Sequence, residues 1–141
     1  MHNKLPAAVT AAVTAAALML TGCAAEAQQT AAVPKATLTI SLARYPNVAD
    51  HARDAIKAGE SSLCTLDRDG AAARRKESLR GVATAPGKDR DEFPPAICKE
   101  GGKGADVRLV PSKENRSEGA WMSGQLAKWP DGTLIRITVS N

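Results

Sequence analysis

Three carboxylates within four residues, Asp89, Asp91 and Glu92, set the hardest condition this chain has to meet on folding. They sit in the run Lys88-Asp89-Arg90-Asp91-Glu92-Phe93-Pro94-Pro95-Ala96, around one arginine and just ahead of two prolines. Side by side, such groups repel and raise each other's pKa, so a fold keeps them charged only with a nearby cation or a bound metal ion. Lys88 and Arg90 are the nearest cations in sequence. A mixed charge run ordinarily means a solvated turn. The company this run keeps argues for something more specific.

Residues 1–22 read as an export signal rather than as part of the fold. His2 and Lys4 give a positive start, residues 7–20 are apolar apart from Thr10 and Thr14, and Leu20-Thr21-Gly22-Cys23 ends the run with small residues before a cysteine. The apolar run is too short for a comfortable membrane span. Its ending resembles a bacterial lipoprotein signal, which implies lipid on Cys23 and an extracytoplasmic chain anchored at the cell membrane or surface. Residues 23–35 are small and polar without a hydrophobic period and read as a tether, leaving 36–141 as the folded domain.

The odd cysteine count then resolves. With Cys23 acylated, Cys64 and Cys98 remain to pair in an oxidising compartment. No Cys-x-x-Cys occurs, so neither a thiol redox site nor a four-cysteine zinc site is supported. One disulfide is therefore expected to staple a small core whose only aromatics are Tyr45, Phe93, Trp121 and Trp129.

Thr37 to Leu42 alternates polar and apolar residues and predicts a half-buried strand. Asn47 is placed to cap a helix over 48–58 that Gly59 stops. A short strand at 63–66, a turn at Asp67-Arg68-Asp69-Gly70 and a basic helix over 71–79 follow. The Asp67 turn lacks the later ligand positions of a calcium-binding EF-hand loop. Beyond it, the pattern predicts a strand in the acidic run and a glycine-rich connection at 101–104. A returning strand at 105–110, a helix from Ser112 to about Lys128 with Ser112 as its cap, and a last strand at 133–139 complete the domain. Strand, strand and helix in that order would bring carboxylates from the hairpin against polar groups of the helix.

Asn115 lies in the first turn of that helix, between Glu114 and Glu118 in sequence. Amide and carboxylate oxygens are hard ligands that suit Mg²⁺, Mn²⁺ or Ca²⁺ rather than zinc. Basic residues recur along the same half of the chain, and the domain without its signal carries eighteen Lys and Arg against fifteen Asp and Glu. That modest excess fits contact with a phosphate backbone at one face. His51 has no second histidine near it in sequence, so a carboxylate rather than a histidine is expected to serve as any catalytic base.

Residues 42–46, 52–56, 64–71, 75–81, 89–92, 98–102, 104–108 and 129–133 together resemble the secreted NucA/NucB-type bacterial deoxyribonucleases, in order and with matching spacing. The resemblance implies an α+β fold with a small ββα-metal (His-Me finger) nuclease core, additional helices and short strands. It implies a metal-dependent endonuclease that cuts DNA with little sequence preference. In related nucleases the base is a histidine after an Asp-Arg pair; here that place is acidic. Asp91 is the expected base, with Glu92 as the alternative. Asn115 matches the family's metal-binding asparagine and Gln125 a polar residue near the metal, which would be Mg²⁺ or Mn²⁺. Arg90 and Arg116 would offset transition-state charge, and Arg116, Arg108 and Arg68 would contact the substrate. Departures are Phe93 for the usual tryptophan, Ser117-Glu118 in place of small residues, and Gly124 in place of an asparagine.

The expected partners are DNA, with RNA as an alternative substrate, and a membrane through the lipid on Cys23. No protein partner is expected, and the chain should be monomeric. A rival from another class is a non-catalytic DNA-binding surface lipoprotein with the same fold.

Overall fold

A computed structural model describes residues 32–141; the expected export signal, Cys23 and most of the tether lie outside the described residues. Five strands and three helices follow one another as β1 (Ala36–Ser41), α1 (Pro46–Ala58), β2 (Leu63–Thr65), α2 (Ala71–Ser78), β3 (Lys88–Phe93), β4 (Asp106–Pro111), α3 (Ser112–Leu126) and β5 (Leu134–Ser140). The α+β class and the strand–strand–helix order are as expected.

Alternation decides what the first and last strands bury. Leu38 and Ile40 of β1 point inward, as do Ile135 and Ile137 of β5, while Thr37, Thr39 and Arg136 stay outside. β5 is the middle strand of this sheet, parallel to β1 and antiparallel to β2. Against it packs α1, whose buried Val48, Ala49, His51, Ala52 and Ala55 recur every three or four residues. The helix also touches β3, β4 and α3, so it is the element between the sheet and the hairpin. Gly59 stops it in the left-handed conformation, φ 112°.

Its start differs from expectation. The helix begins two residues earlier, with Pro46 in its first turn, and no local side chain caps it. The free amides of Asn47 and Val48 donate instead to Glu114 Oε1 of α3, at 2.7 and 2.9 Å, and Asn47 Nδ2 donates to Glu114 Oε2 at 2.7 Å. That carboxylate also meets the positive end of the helix dipole. Ser112 likewise does not cap α3; its hydroxyl donates to Asp89 Oδ1 at 2.7 Å.

Cys64 and Cys98 form the expected disulfide, tying β2 to the β3–β4 connection. Backbone bonds beside it, Asp67 N to Ile97 O and Lys99 N to Thr65 O at 2.9 Å each, seat that connection against β2. Gly101 turns it so tightly that a Cβ there would stand 2.7 Å from the Pro95 carbonyl oxygen, a place only glycine can take.

Candidate active site

β3 pairs with β4 so that Asp91 faces Arg108 and Phe93 faces Asp106 across the hairpin. Successive side chains of a strand point to opposite faces, and this divides the acidic run. Asp89 and Asp91 turn toward α3 and α1, while Arg90 and Glu92 turn toward α2. The three carboxylates are thereby separated, and each receives its own partners.

Asp91 Oδ2 lies 2.7 Å from Nδ1 of His51, and the other ring nitrogen, Nε2, lies 2.8 Å from Asp106 Oδ1. An imidazolium satisfies two carboxylates at once, because both of its nitrogens donate. Burial alone would lower the pKa of His51; the hydrogen bonds and charges of Asp91 and then Asp106 overcome it and leave the value raised. The ring is completely buried, so α1 holds the Asp91 carboxylate from behind. Asp91 Oδ1 makes no hydrogen bond among the described residues, and Asp91 lines the cavity in front.

Asp89 accepts from Arg116 Nε at 2.9 Å and from Ser112, and these bonds, Arg116 first, hold its carboxyl below the usual range. Glu92 accepts from Arg75 Nε at 2.9 Å and Ser78 Oγ at 3.4 Å, so its carboxylate is committed to α2. Arg90 Nη1 donates to the carbonyls of Leu79 and Val82, at 3.2 and 2.9 Å, and fixes the chain leaving α2.

A cavity of about 680 Å³ opens over Asp91. From α3 it takes Asn115, Glu118, Gly119, Met122 and Ser123, the single stripe that helical spacing allows. Arg68, Arg75, Lys88 and Arg90 supply its cationic lining. Glu118 is buried there, and its carboxyl is pushed up to about 8, first by desolvation and then by the charge of Asp91.

Of the residues singled out from sequence, Asp91, Glu92, Arg90, Asn115 and Arg68 meet at this cavity. Arg68 also pairs with Asp131 and donates to the Leu126 carbonyl at 2.9 Å. Arg116 stands outside the lining, joined to it through Asp89. Arg108 pairs with Asp50 and Asp54 on α1, and Gln125 is exposed; neither lines the cavity. Sequence reasoning gave no role in the site to His51, took Glu118 only as a carboxylate near Asn115, and took Arg75 only as part of the basic excess. For Glu118 a signal existed: it shares the i, i+4, i+8 register of Met122 and Leu126, an apolar stripe where a carboxylate is out of place.

An antiparallel hairpin leading into a helix, with acidic residues on the strand and an asparagine in the helix's first turn, is the arrangement of a ββα-metal nuclease core. Residues 51–138 match the family model of Deoxyribonuclease NucA/NucB. Over 103 residues, covering 73% of this chain and 70% of the relative, the sequence is 47% identical to the DNA-entry nuclease of Bacillus subtilis (strain 168). The chain belongs to the NucA/NucB deoxyribonuclease family, a family of DNA-hydrolysing enzymes.

Proposed function

We propose that this protein is a metal-dependent endodeoxyribonuclease, working outside the cytoplasm on a lipid anchor at Cys23 and cutting DNA with little sequence preference. The observation that carries this reading is Asp91: one carboxylate oxygen fixed by a buried histidine, the other free at a cavity rimmed with cations. His51 prevents the carboxylate from turning away, and Asp106 prevents the ring from turning. Asp91 Oδ1 is thus positioned to take a proton from a water attacking phosphorus. Glu92, held by Arg75 and Ser78, is the weaker candidate for that role. The Arg75 side chain is largely exposed and, with Lys88, draws the phosphate backbone to the cavity.

The donor chemistry fits a hard cation. Asp91, Asn115 and Glu118 present oxygen donors, both cysteines of the domain are in the disulfide, and the only histidine of the described residues is spent on two carboxylates. Asn115 would hold Mg²⁺ or Mn²⁺ beside Asp91. A bound cation supplies stabilisation of the charge that develops on the leaving 3′ oxygen.

The test is supercoiled plasmid mixed with the purified, oxidised protein and Mg²⁺ or Mn²⁺. Nicking and linearisation should disappear with chelator, with Asp91→Ala and with Asn115→Ala. Plasmid left intact under every metal, yet shifted on a gel, would leave a binding protein without catalysis. Cleavage that survives Asp91→Ala but not Glu92→Ala would move the base by one residue. Release of the protein from membranes by Cys23→Ala checks the anchor.

A further inference from the structure

Two glutamates line the cavity, and both are more than nine-tenths buried. Glu92 is met by Arg75 and Ser78. Glu118 is 4% exposed, and its Oε1 has no hydrogen-bond partner among the described residues. The arginines in and beside the cavity are engaged elsewhere: Arg68 with Asp131, Arg75 with Glu92, Arg116 with Asp89, and Arg90 with two carbonyls. The charge it does feel, Asp91, has its own sign. A buried carboxylate without a counter-charge is strongly destabilising, so a fold that keeps one has a use for a cation at that place. The metal centre proposed above has the complementary deficit. Asn115 offers a neutral amide, Asp91 is occupied as the base, and hard divalent cations bind through carboxylate oxygens. Glu118 stands one turn beyond Asn115 on the same cavity-facing stripe of α3.

We propose that Glu118 is the anionic ligand of the divalent cation, holding it with the side-chain oxygen of Asn115 beside Asp91. The inference rests on the metal-dependent reading of this site. It accounts for the orphaned oxygen and for the lack, among the described residues, of an ion pair on Glu118. With one acidic and one amide donor, such a site forms no cluster of three or more acidic, histidine or cysteine ligands, and none occurs among the described residues. Burial and Asp91 keep the carboxyl protonated near neutrality without metal, so a cation entering the site displaces a proton.

Mn²⁺ binding tests this without reference to cleavage. Free Mn²⁺ is counted by its electron paramagnetic resonance signal in titrations of the purified, oxidised protein. The wild type should bind one ion. Glu118→Gln, which keeps the shape and removes the charge, should weaken binding by at least about tenfold. Glu118→Asp should fall between the two. A thermal melt of metal-free Glu118→Gln no lower than the wild type establishes that the variant is folded. Wild-type affinity in Glu118→Gln overturns the assignment and leaves the nuclease reading intact, provided the wild type binds Mn²⁺ and nicks plasmid. A wild type that neither binds Mn²⁺ nor nicks plasmid removes both.

Discussion

In the β1–β5–β2 sheet the inward side chains are Leu38, Ile40, Cys64, Ile135 and Ile137, and the single charged residue of its strands, Arg136, faces out. In the β3–β4–α3 unit five of the six residues of β3 are charged, and the strand owes its place to hydrogen bonds and ion pairs. The sheet carries its own reason to fold in its pattern. The hairpin borrows one: His51 from α1 and Arg75 from α2 neutralise what β3 cannot neutralise itself. The loan is returned at Glu114, which completes the start of α1. An apolar surface needs only a partner of the right shape, whereas an acidic strand needs particular groups at particular distances. The part proposed to do the chemistry is therefore the part that depends on the rest.

The largest effect should come from separating the two regions. The disulfide encloses a loop of sequence separation 34 and is a covalent cross-link between them beyond the backbone. Reduction, or Cys64→Ser with Cys98→Ser, should destabilise the domain by about 4 kcal/mol on the chain-entropy account. For a domain of this size that lowers the melting temperature by roughly 15–30 °C. Calorimetry with and without reductant measures it, and a shift of a few degrees would mean that the regions hold together without the staple.

Next comes the anchor. His51→Ala strands Asp91 and Asp106 and should lose about 3 kcal/mol. Because Asp91 is then free to turn, cleavage by the folded fraction should fall on the order of 100-fold. Ile137→Val in the sheet should lose about 1 kcal/mol and leave cleavage unchanged below its melt. Equal cleavage in both variants would erase the distinction between the regions. The pKa of His51 is raised on folding, so its stabilisation is complete below the ordinary value of 6.5 and fades as pH climbs through the folded value.

These two regions were also unequally legible. Thr37-Leu38-Thr39-Ile40 states its own burial, and the cysteine pair followed from what remained after Cys23. The strand–strand–helix order was visible because spacing along the chain carries it, and the pairing of Asp91 with Asn115 was implied by the family resemblance. What was not visible depended on contacts far apart in sequence. Asn47 and Ser112 look like caps by local rules, but Glu114 and Asp89 claim them from other elements. His51 looked idle because no second histidine lies near it, whereas its partners, Asp91 and Asp106, are 40 and 55 residues away. Gln125 and Asn115 share a helix, but only Asn115 lies on the face that meets the cavity.

Glu118 gives a pH-dependent effect with an unusual sign. Its carboxyl is raised from 4.5 to about 8, so the folded protein holds a proton that the unfolded chain releases across that window. Without metal, stability should therefore fall as pH rises from about 4.5 to 8, by an amount on the order of a few kcal/mol. Glu118→Gln should flatten that part of the profile and melt higher than the wild type at pH 8. Denaturant titrations at pH 5 and pH 8 with chelator present check it. The same slope in both proteins would mean that the carboxyl ionises without penalty where it is.

The smallest structural effect should be Arg116→Ala, and it separates holding a strand from holding DNA. The guanidinium is three-quarters exposed and bonds Asp89 through Nε and Nη2, at 2.9 and 3.2 Å. Solvent screens such a pair, and Ser112 still donates to Asp89 when it is lost, so the melt at neutral pH should hardly move. Below neutrality the sign is definite. Asp89 is held under its ordinary 3.8, chiefly by Arg116, so what it contributes is present above that value and is lost as pH falls through the folded one. The variant should unfold at a slightly higher pH on acidification. If Arg116 also contacts phosphate, removing it weakens DNA binding alike on all sequences and reduces the dependence of log K on log salt by about one. A steep loss of neutral-pH stability would instead class Arg116 with His51, as a group the acidic strand cannot do without.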